Sequence, residues 1–315
     1  MTVLVTGGLG FIGSHTVQAL LDLGEECVLV QRRTAAPAFN GGTVTVEQAD
    51  IRDLASLRAV GERHRITGIV HLAGSMPWPP SADEPVEDAR RALGGLFNIM
   101  QVAQEWGVRR VGVASTIGVY VSSGLTEGAL TEDMLLSLGA AHPIPTFKKI
   151  GELLGGYLGA ATGVEVVNYR ISGTWGPRGH SDPFFAAPAL VHAAARGVAP
   201  DFSGLMAAPH AEDALDLCYV KDTGRAIALL QLADELRHAT YNVASGRATS
   251  NAEVIAAIRD AVPDAAVDLP SAAVAAPRAW LDITRLRDDT GFTPEYDTTR
   301  AAADYIAWLR AGNEA

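Results

Sequence analysis

The chain has 315 residues, with 36 acidic against 25 basic side chains and a formal charge of −11. That length can bury a large core without staples, and Cys27 and Cys218 lie far apart with no metal-spaced His beside them, so neither a disulfide framework nor a metal site is expected. Lys and Arg are scattered instead of striped and no apolar run approaches membrane length, which argues against nucleic-acid and membrane partners.

Thr2–Thr6 reads as an apolar strand, Gly7-Gly-Leu-Gly-Phe-Ile-Gly13 follows at once, and Ser14–Leu23 has helical periodicity. Glycines at 7, 10 and 13 permit a sharp turn, let the backbone approach a pyrophosphate and let the helix sit close on the strand. A helix N-terminus there offers free N–H groups and roughly +0.5 of dipolar charge to an anion. The pattern predicts NAD or NADP binding. A second strand, Cys27–Gln31, ends without a carboxylate and runs into Arg32 and Arg33. An acidic residue there would hold the ribose hydroxyls and repel a 2′-phosphate, so neutral Gln31 with two guanidiniums tilts the expectation toward NADP while leaving NAD open.

Further short strands at Val44–Gln48, Gly68–Leu72, Val111–Ser115 and Val164–Tyr169 alternate with amphipathic stretches at Leu54–Arg63, Val86–Trp106 and Phe147–Ala161. The expected fold class is α/β, a Rossmann-type doubly wound parallel sheet. After Ile171, prolines 177, 183, 188, 200 and 209 break the chain into short pieces. Residues 1–170 are therefore read as the dinucleotide-binding domain and 171–315 as a smaller C-terminal substrate-binding lobe with segments returning to the core. The opening residues lack the layout of a signal peptide, so a cytoplasmic protein is expected.

Several motifs, taken in order, resemble the extended short-chain dehydrogenase/reductase superfamily, its NAD-dependent epimerase/dehydratase group. They are Thr6–His15, Asp50-Ile51, His71-Leu-Ala-Gly74, Ser115-Thr-Ile-Gly-Val-Tyr120, Arg170-Ile-Ser-Gly-Thr-Trp-Gly-Pro177, Tyr219-Val-Lys-Asp222, Tyr241-Asn-Val243 and Thr290-Gly-Phe-Thr-Pro294. The resemblance implies cofactor contacts from Gly7, Gly10, Phe11, Ile12, Gly13, Gln31, Arg32, Arg33, Asp50, Ile51, Leu72, Ala73, Gly74, Lys148 and Ile171. It implies catalytic roles for Thr116, at the family's serine position, and for Lys148.

The family's chemistry uses a Tyr four residues before that Lys, one helical turn away, where the ammonium favours phenolate and the phenol trades protons with a substrate hydroxyl. Here the Tyr position is Ile144, and taking Lys149 as the lysine puts Pro145 there instead. A positioned general acid contributes about 10²–10⁴-fold, about 3–5 kcal/mol of barrier, which an aliphatic side chain cannot supply. Ala92 also replaces a frequent Asn. Lys148 can still hold the nicotinamide ribose, and His142, His180, Ser75 and Tyr120 are candidate substitute proton donors.

Sugar-nucleotide members commonly carry an Arg where this chain has Leu215, and Trp175, Phe202, Leu205, Met206, Pro209 and the Met76-Pro-Trp-Pro-Pro80 loop are apolar. A small, not strongly anionic substrate is expected, the alternative being that these apolar residues simply pack the second lobe. Gly151, Gly155 and Gly159 recur every fourth residue, each at a cost of roughly 1 kcal/mol of helix propensity relative to Ala, which suggests close approach of another helix and a homodimer, the alternative being a monomer whose glycines only ease packing on the sheet. The reading is an NAD(P)-dependent oxidoreductase or epimerase. Its rivals are a non-redox lyase or isomerase that keeps the nucleotide as fixture or transient oxidant, and an NADP-sensing regulatory protein.

Overall fold

The computed structural model describes residues 1–33, 39–74, 84–121, 127–139, 142–179, 182–272 and 278–313. The first half runs β1 (Thr2–Thr6), α1 (Phe11–Asp22), β2 (Glu26–Gln31), β3 (Val44–Gln48), α2 (Leu54–Arg63) and β4 (Gly68–His71). It continues through α3 (Pro85–Trp106), β5 (Arg110–Thr116), a 3₁₀ turn (Ile117–Tyr120), β6 (Glu127–Leu130), α4 (Pro143–Thr162) and β7 (Glu165–Ile171). Next come β8 (Gly173–Trp175), α5 (Ala187–Arg196), β9 (Ala214–Tyr219), α6 (Val220–Leu232), β10 (Thr240–Val243) and β11 (Ala248–Ser250). The chain closes with α7 (Asn251–Ala261), β12 (Arg278–Leu281), α8 (Thr284–Thr290) and α9 (Thr298–Arg310).

Seven parallel strands form the central sheet in the order β10-β7-β5-β4-β1-β2-β3. The order reverses between β1 and β4, which opens a crevice at the carboxyl ends of these strands. Both faces are covered, as a parallel sheet requires. Val3 and Val5 point into one cluster with Val17 and Leu20 of α1 and Ile227 and Leu230 of α6. Leu4 points the other way, to Leu57 and Val60 of α2 and Ile99 and Met100 of α3. A further cluster gathers Leu190 and Val191 of α5, Val254 and Ile258 of α7, and Tyr305 and Ile306 of α9 around Trp175.

Two helix starts lie earlier than the periodicity suggests, both for backbone reasons. Helix α1 begins at Phe11 because the glycine loop closes within one turn, with Gly10 N–H donating to Gly7 O at 2.9 Å and Ser14 N–H to Gly10 O at 2.8 Å. Helix α4 begins at Pro143, where prolines 143 and 145 occupy a first turn whose N–H groups have no intrahelical acceptor in any case.

Gly155 and Gly159 of α4 face the sheet and not a second helix. A Cβ on Gly155 would stand 3.0 Å from Val166 Cγ1, and one on Gly159 3.0 Å from Val164 O. Their small size lets α4 lie close on β7. Gly151 instead faces Leu96 of α3, at 3.9 Å.

Candidate active site

The crevice begins at the glycine loop. Gly7 adopts φ +72°, a left-handed conformation that L side chains rarely take. A Cβ on Gly13 would lie 2.0 Å from Gly7 O, so only glycine lets the first turn of α1 sit this close to the loop. No side chain caps that helix, and its first N–H groups remain available to an anion. The cradle fits a dinucleotide pyrophosphate.

A cavity of about 520 Å³ adjoins the loop and brings together Gly7, Gly10, Gln31, Arg32, Asp50, Ile51, Ala73 and Gly74 from separate chain segments. Gln31, with its amide oxygen turned to the loop, accepts from Gly8 N–H and Leu9 N–H at 3.2 Å each. Arg32 lines the cavity, whereas Arg33 is exposed and does not. Arg52 ion-pairs with Asp50 and holds its carboxyl below the usual range. Arg52, Asp88 and Arg91 also line this cavity, and the motif reading did not single them out. Phe11 and Ile12 open α1, with the Phe11 ring so close to Gly179 that a Cβ there would meet it at 2.9 Å. Leu72 follows β4, its N–H donating to Thr6 O at 3.2 Å, and Ile171 ends β7.

A second, smaller cavity shares Ala73, Gly74 and Ala92 with the first and adds His71, Ser115, Ile144, Lys148 and Glu152. Ile144 and Lys148 thus stand in one cavity, one turn of α4 apart. Burial pulls Lys148 down to about 8. His71 bonds Thr6 Oγ1 through Nδ1 at 2.8 Å, and Thr6 Oγ1 also accepts Ala73 N–H at 3.2 Å. Burial, then the Lys148 charge, holds His71 down at about 3, so the imidazole is neutral. Motif matching placed His71 beside the cofactor without its partner Thr6, whose contact spans 65 residues.

Glu152 is committed elsewhere. Arg170 pairs with it at 2.7 Å and Ser115 Oγ donates to it. Arg170 also donates to Tyr120 OH at 2.8 Å, and Tyr120 donates to Asn242 Oδ1 at 2.8 Å. Tyr120 is therefore a buried structural member of this network, pushed up to about 12 by burial, and not a free proton donor. Thr116, at the end of β5, accepts Gly118 N–H at 3.1 Å and keeps its own proton to donate. His142 occupies the N-cap position of α4 without a side-chain capping bond and stacks on Phe184 with centroids 5.2 Å apart. Ser75, His180 and the 76–80 loop lie outside the described residues.

In the second lobe, Trp175 is 2% exposed, and Phe202, Leu205 and Leu215 pack on the same core. Trp175, Phe202 and Leu215 build the lobe, Leu205 does so while also lining a cavity beside α5, and Met206 is exposed at the surface. Leu215 Cδ2 would stand 2.6 Å from a Cβ on Gly173. A cavity of about 660 Å³ beside α5 is lined by Asp182, Phe185, His192, Arg196, Asp201 and Ser203, among others.

Known proteins place this geometry in context. The model of the NAD dependent epimerase/dehydratase family matches residues 3–244. A UDP-glucose 4-epimerase of Erwinia amylovora is 32% identical over 128 residues, covering 38% of this chain and 38% of that protein. One of Neisseria meningitidis serogroup C is 28% identical over 281 residues, 82% of each. The structure of the Thermus thermophilus UDP-glucose 4-epimerase complex with NAD is similar at TM-score 0.78 and 25% identity, over 99% of this chain and 100% of that one. Alignment with the Erwinia protein spans under two fifths of its length, at 38%.

Proposed function

Because the chain belongs to the NAD dependent epimerase/dehydratase family, we propose that it is an NAD(P)-dependent oxidoreductase or epimerase that interconverts an alcohol and a ketone on a small, not strongly anionic substrate. The observation that carries this reading is the pair of adjoining cavities, one built on the glycine loop and the other on Lys148 and Ile144. Residues 1–170 act as the coenzyme-binding unit and 171–315 as the smaller substrate lobe, with α6 and β10 returning to the central sheet.

A bound nicotinamide coenzyme supplies or takes hydride. The chain's own residues do the rest: the loop N–H groups hold the pyrophosphate and the Thr116 hydroxyl orients the substrate oxygen. Ile144 supplies no proton. NADP is favoured over NAD because Gln31 carries no charge to repel a 2′-phosphate, Arg32 lines the cavity, and Arg52 neutralises Asp50 across it. Position 215 carries Leu and no guanidinium to meet a diphosphate, which favours an uncharged substrate over the UDP-sugars named for the relatives.

Leu153, Tyr157 and Phe97 leave 68%, 70% and 46% of their surface exposed on α4 and α3, and a homodimer through these helices would cover them. Among the described residues no helix is long and apolar enough to cross a membrane. A cytoplasmic location remains part of the proposal.

The test is to incubate the protein with NAD⁺ or NADP⁺ and matched uncharged and UDP-linked alcohols. Absorbance at about 340 nm reports net oxidation and proton NMR in D₂O reports epimerisation. Turnover confined to uncharged compounds supports the reading. Turnover confined to UDP-sugars contradicts the substrate class.

A further inference from the structure

We propose that Lys148 itself, and not a phenol, exchanges the proton with the substrate oxygen, an inference that rests on the nicotinamide-dependent reading above. Among the described groups that line the smaller cavity, which Thr116 does not join, elimination leaves Lys148. Ile144, in the place of the family's tyrosine, has no exchangeable proton. Tyr120 is consumed by Arg170 and Asn242. Ser115 donates to Glu152, and Glu152 is held by Arg170 at 2.7 Å. From β7, Asn168 presents an amide, which does not titrate. His71 stays neutral and gives its Nδ1 to Thr6. His142 stacks on Phe184 and is not part of the cavity wall.

Lys148 differs from all of these. Among the described residues no acceptor or carboxylate pairs with its ammonium, and the wall that α3 presents to it is Ala92, Leu93 and Leu96. The titratable and charged groups around it are His71 on β4, Glu152 on its own helix and Arg170 on β7, and the last two neutralise each other. Burial without a counter-ion makes the neutral amine accessible near physiological pH, which a lysine acting only as a fixed cation does not require.

In reduction, an N–H bond of Lys148 would break as an O–H bond forms on the substrate oxygen, and the neutral amine would recover its proton from solvent. A bound reduced nicotinamide coenzyme would supply the hydride, and with it the two electrons, to the carbonyl carbon. Alcohol oxidation runs the same transfers in reverse, with the amine as base.

Competitive acetylation with acetic anhydride across pH 6–11, read by peptide mass spectrometry on the full chain, tests this without a substrate. The expected midpoint for Lys148 is near 8, against about 10.4 for an unperturbed lysine, and its reactivity at pH 8 stays within about threefold when saturating NADPH is present. A midpoint near 10, or complete protection by NADPH, would overturn the proposal, because the lysine would then be a fixed ammonium spent on the coenzyme. Lys148→Arg supplies a second check: it is expected to keep NADPH binding within about threefold, and loss of binding would mark Lys148 as an anchor. Failure of the unmodified chain to bind NADH or NADPH would remove the coenzyme reading instead, and the acetylation midpoint of the free protein separates the two.

Discussion

The Arg170 guanidinium closes on the Glu152 carboxylate at 2.7 Å, one helical turn beyond Lys148, so the acid nearest to that lysine along α4 is already spent. The pair is largely buried, with side-chain exposures of 6% and 11%, and it ties α4 to β7. Removing one partner strands a buried charge. Glu152→Ala is expected to cost about 3–5 kcal/mol, read as a fall in urea midpoint, whereas a loss below about 1 kcal/mol would mean that water replaces the carboxylate.

Gly13 gives the sharpest steric prediction. A methyl group there would have to occupy space 2.0 Å from Gly7 O, a backbone atom that cannot swing away. Gly13→Ala should reduce NADPH affinity by at least about tenfold, about 1.4 kcal/mol, by prising α1 from the loop. Unchanged affinity would show that the loop does not form the pyrophosphate cradle.

Cofactor choice turns on Gln31. Its amide accepts two loop N–H groups at 3.2 Å, and a carboxylate in its place would set a negative charge beside the 2′ position. Gln31→Asp should weaken NADPH at least about tenfold relative to NADH, measured by fluorescence titration of both. Arg32→Ala should move the ratio the same way, and Arg33→Ala, outside the cavity wall, should leave it within about twofold. Equal effects of the two arginine variants would count against a defined phosphate contact.

His71 sets a pH dependence whose sign follows from its burial. The folded protein holds it neutral down to about 3, while the unfolded chain protonates near 6.5. Between those values the unfolded state binds the extra proton, so stability falls as pH falls. From pH 6.5 to 5 this one group removes about 1.6 kcal/mol, the slope rising from half at pH 6.5 toward about 1.4 kcal/mol per unit. Denaturant midpoints of His71→Asn should vary less over that range than those of the parent chain, and equal slopes would assign the acid sensitivity to other groups.

Much of the sheet was legible because strand and helix periodicity is a local signal. Thr2–Thr6, Val44–Gln48 and Leu54–Arg63 have the same bounds in sequence and structure. The glycine loop was legible for the same reason, since its spacing lies within seven residues. The glycines of α4 were not: a spacing of four says that they share a face, and only the fold says that Val164 and Val166 lie against it. Trp175 and Phe202 could not be sorted into lining or core from composition, since both demand apolar residues. Arg52 and Arg91 at the cofactor cavity, Thr6 behind His71, and Arg170 behind Glu152 depend on contacts that folding makes between distant segments.

The most direct measurement is titration of the purified chain with NADPH and NADH, following nicotinamide fluorescence. Saturable binding, tighter for NADPH, is the predicted result. Binding of neither would contradict the coenzyme site, and with it the enzyme proposed here, leaving the glycine loop as a tight connection between β1 and α1.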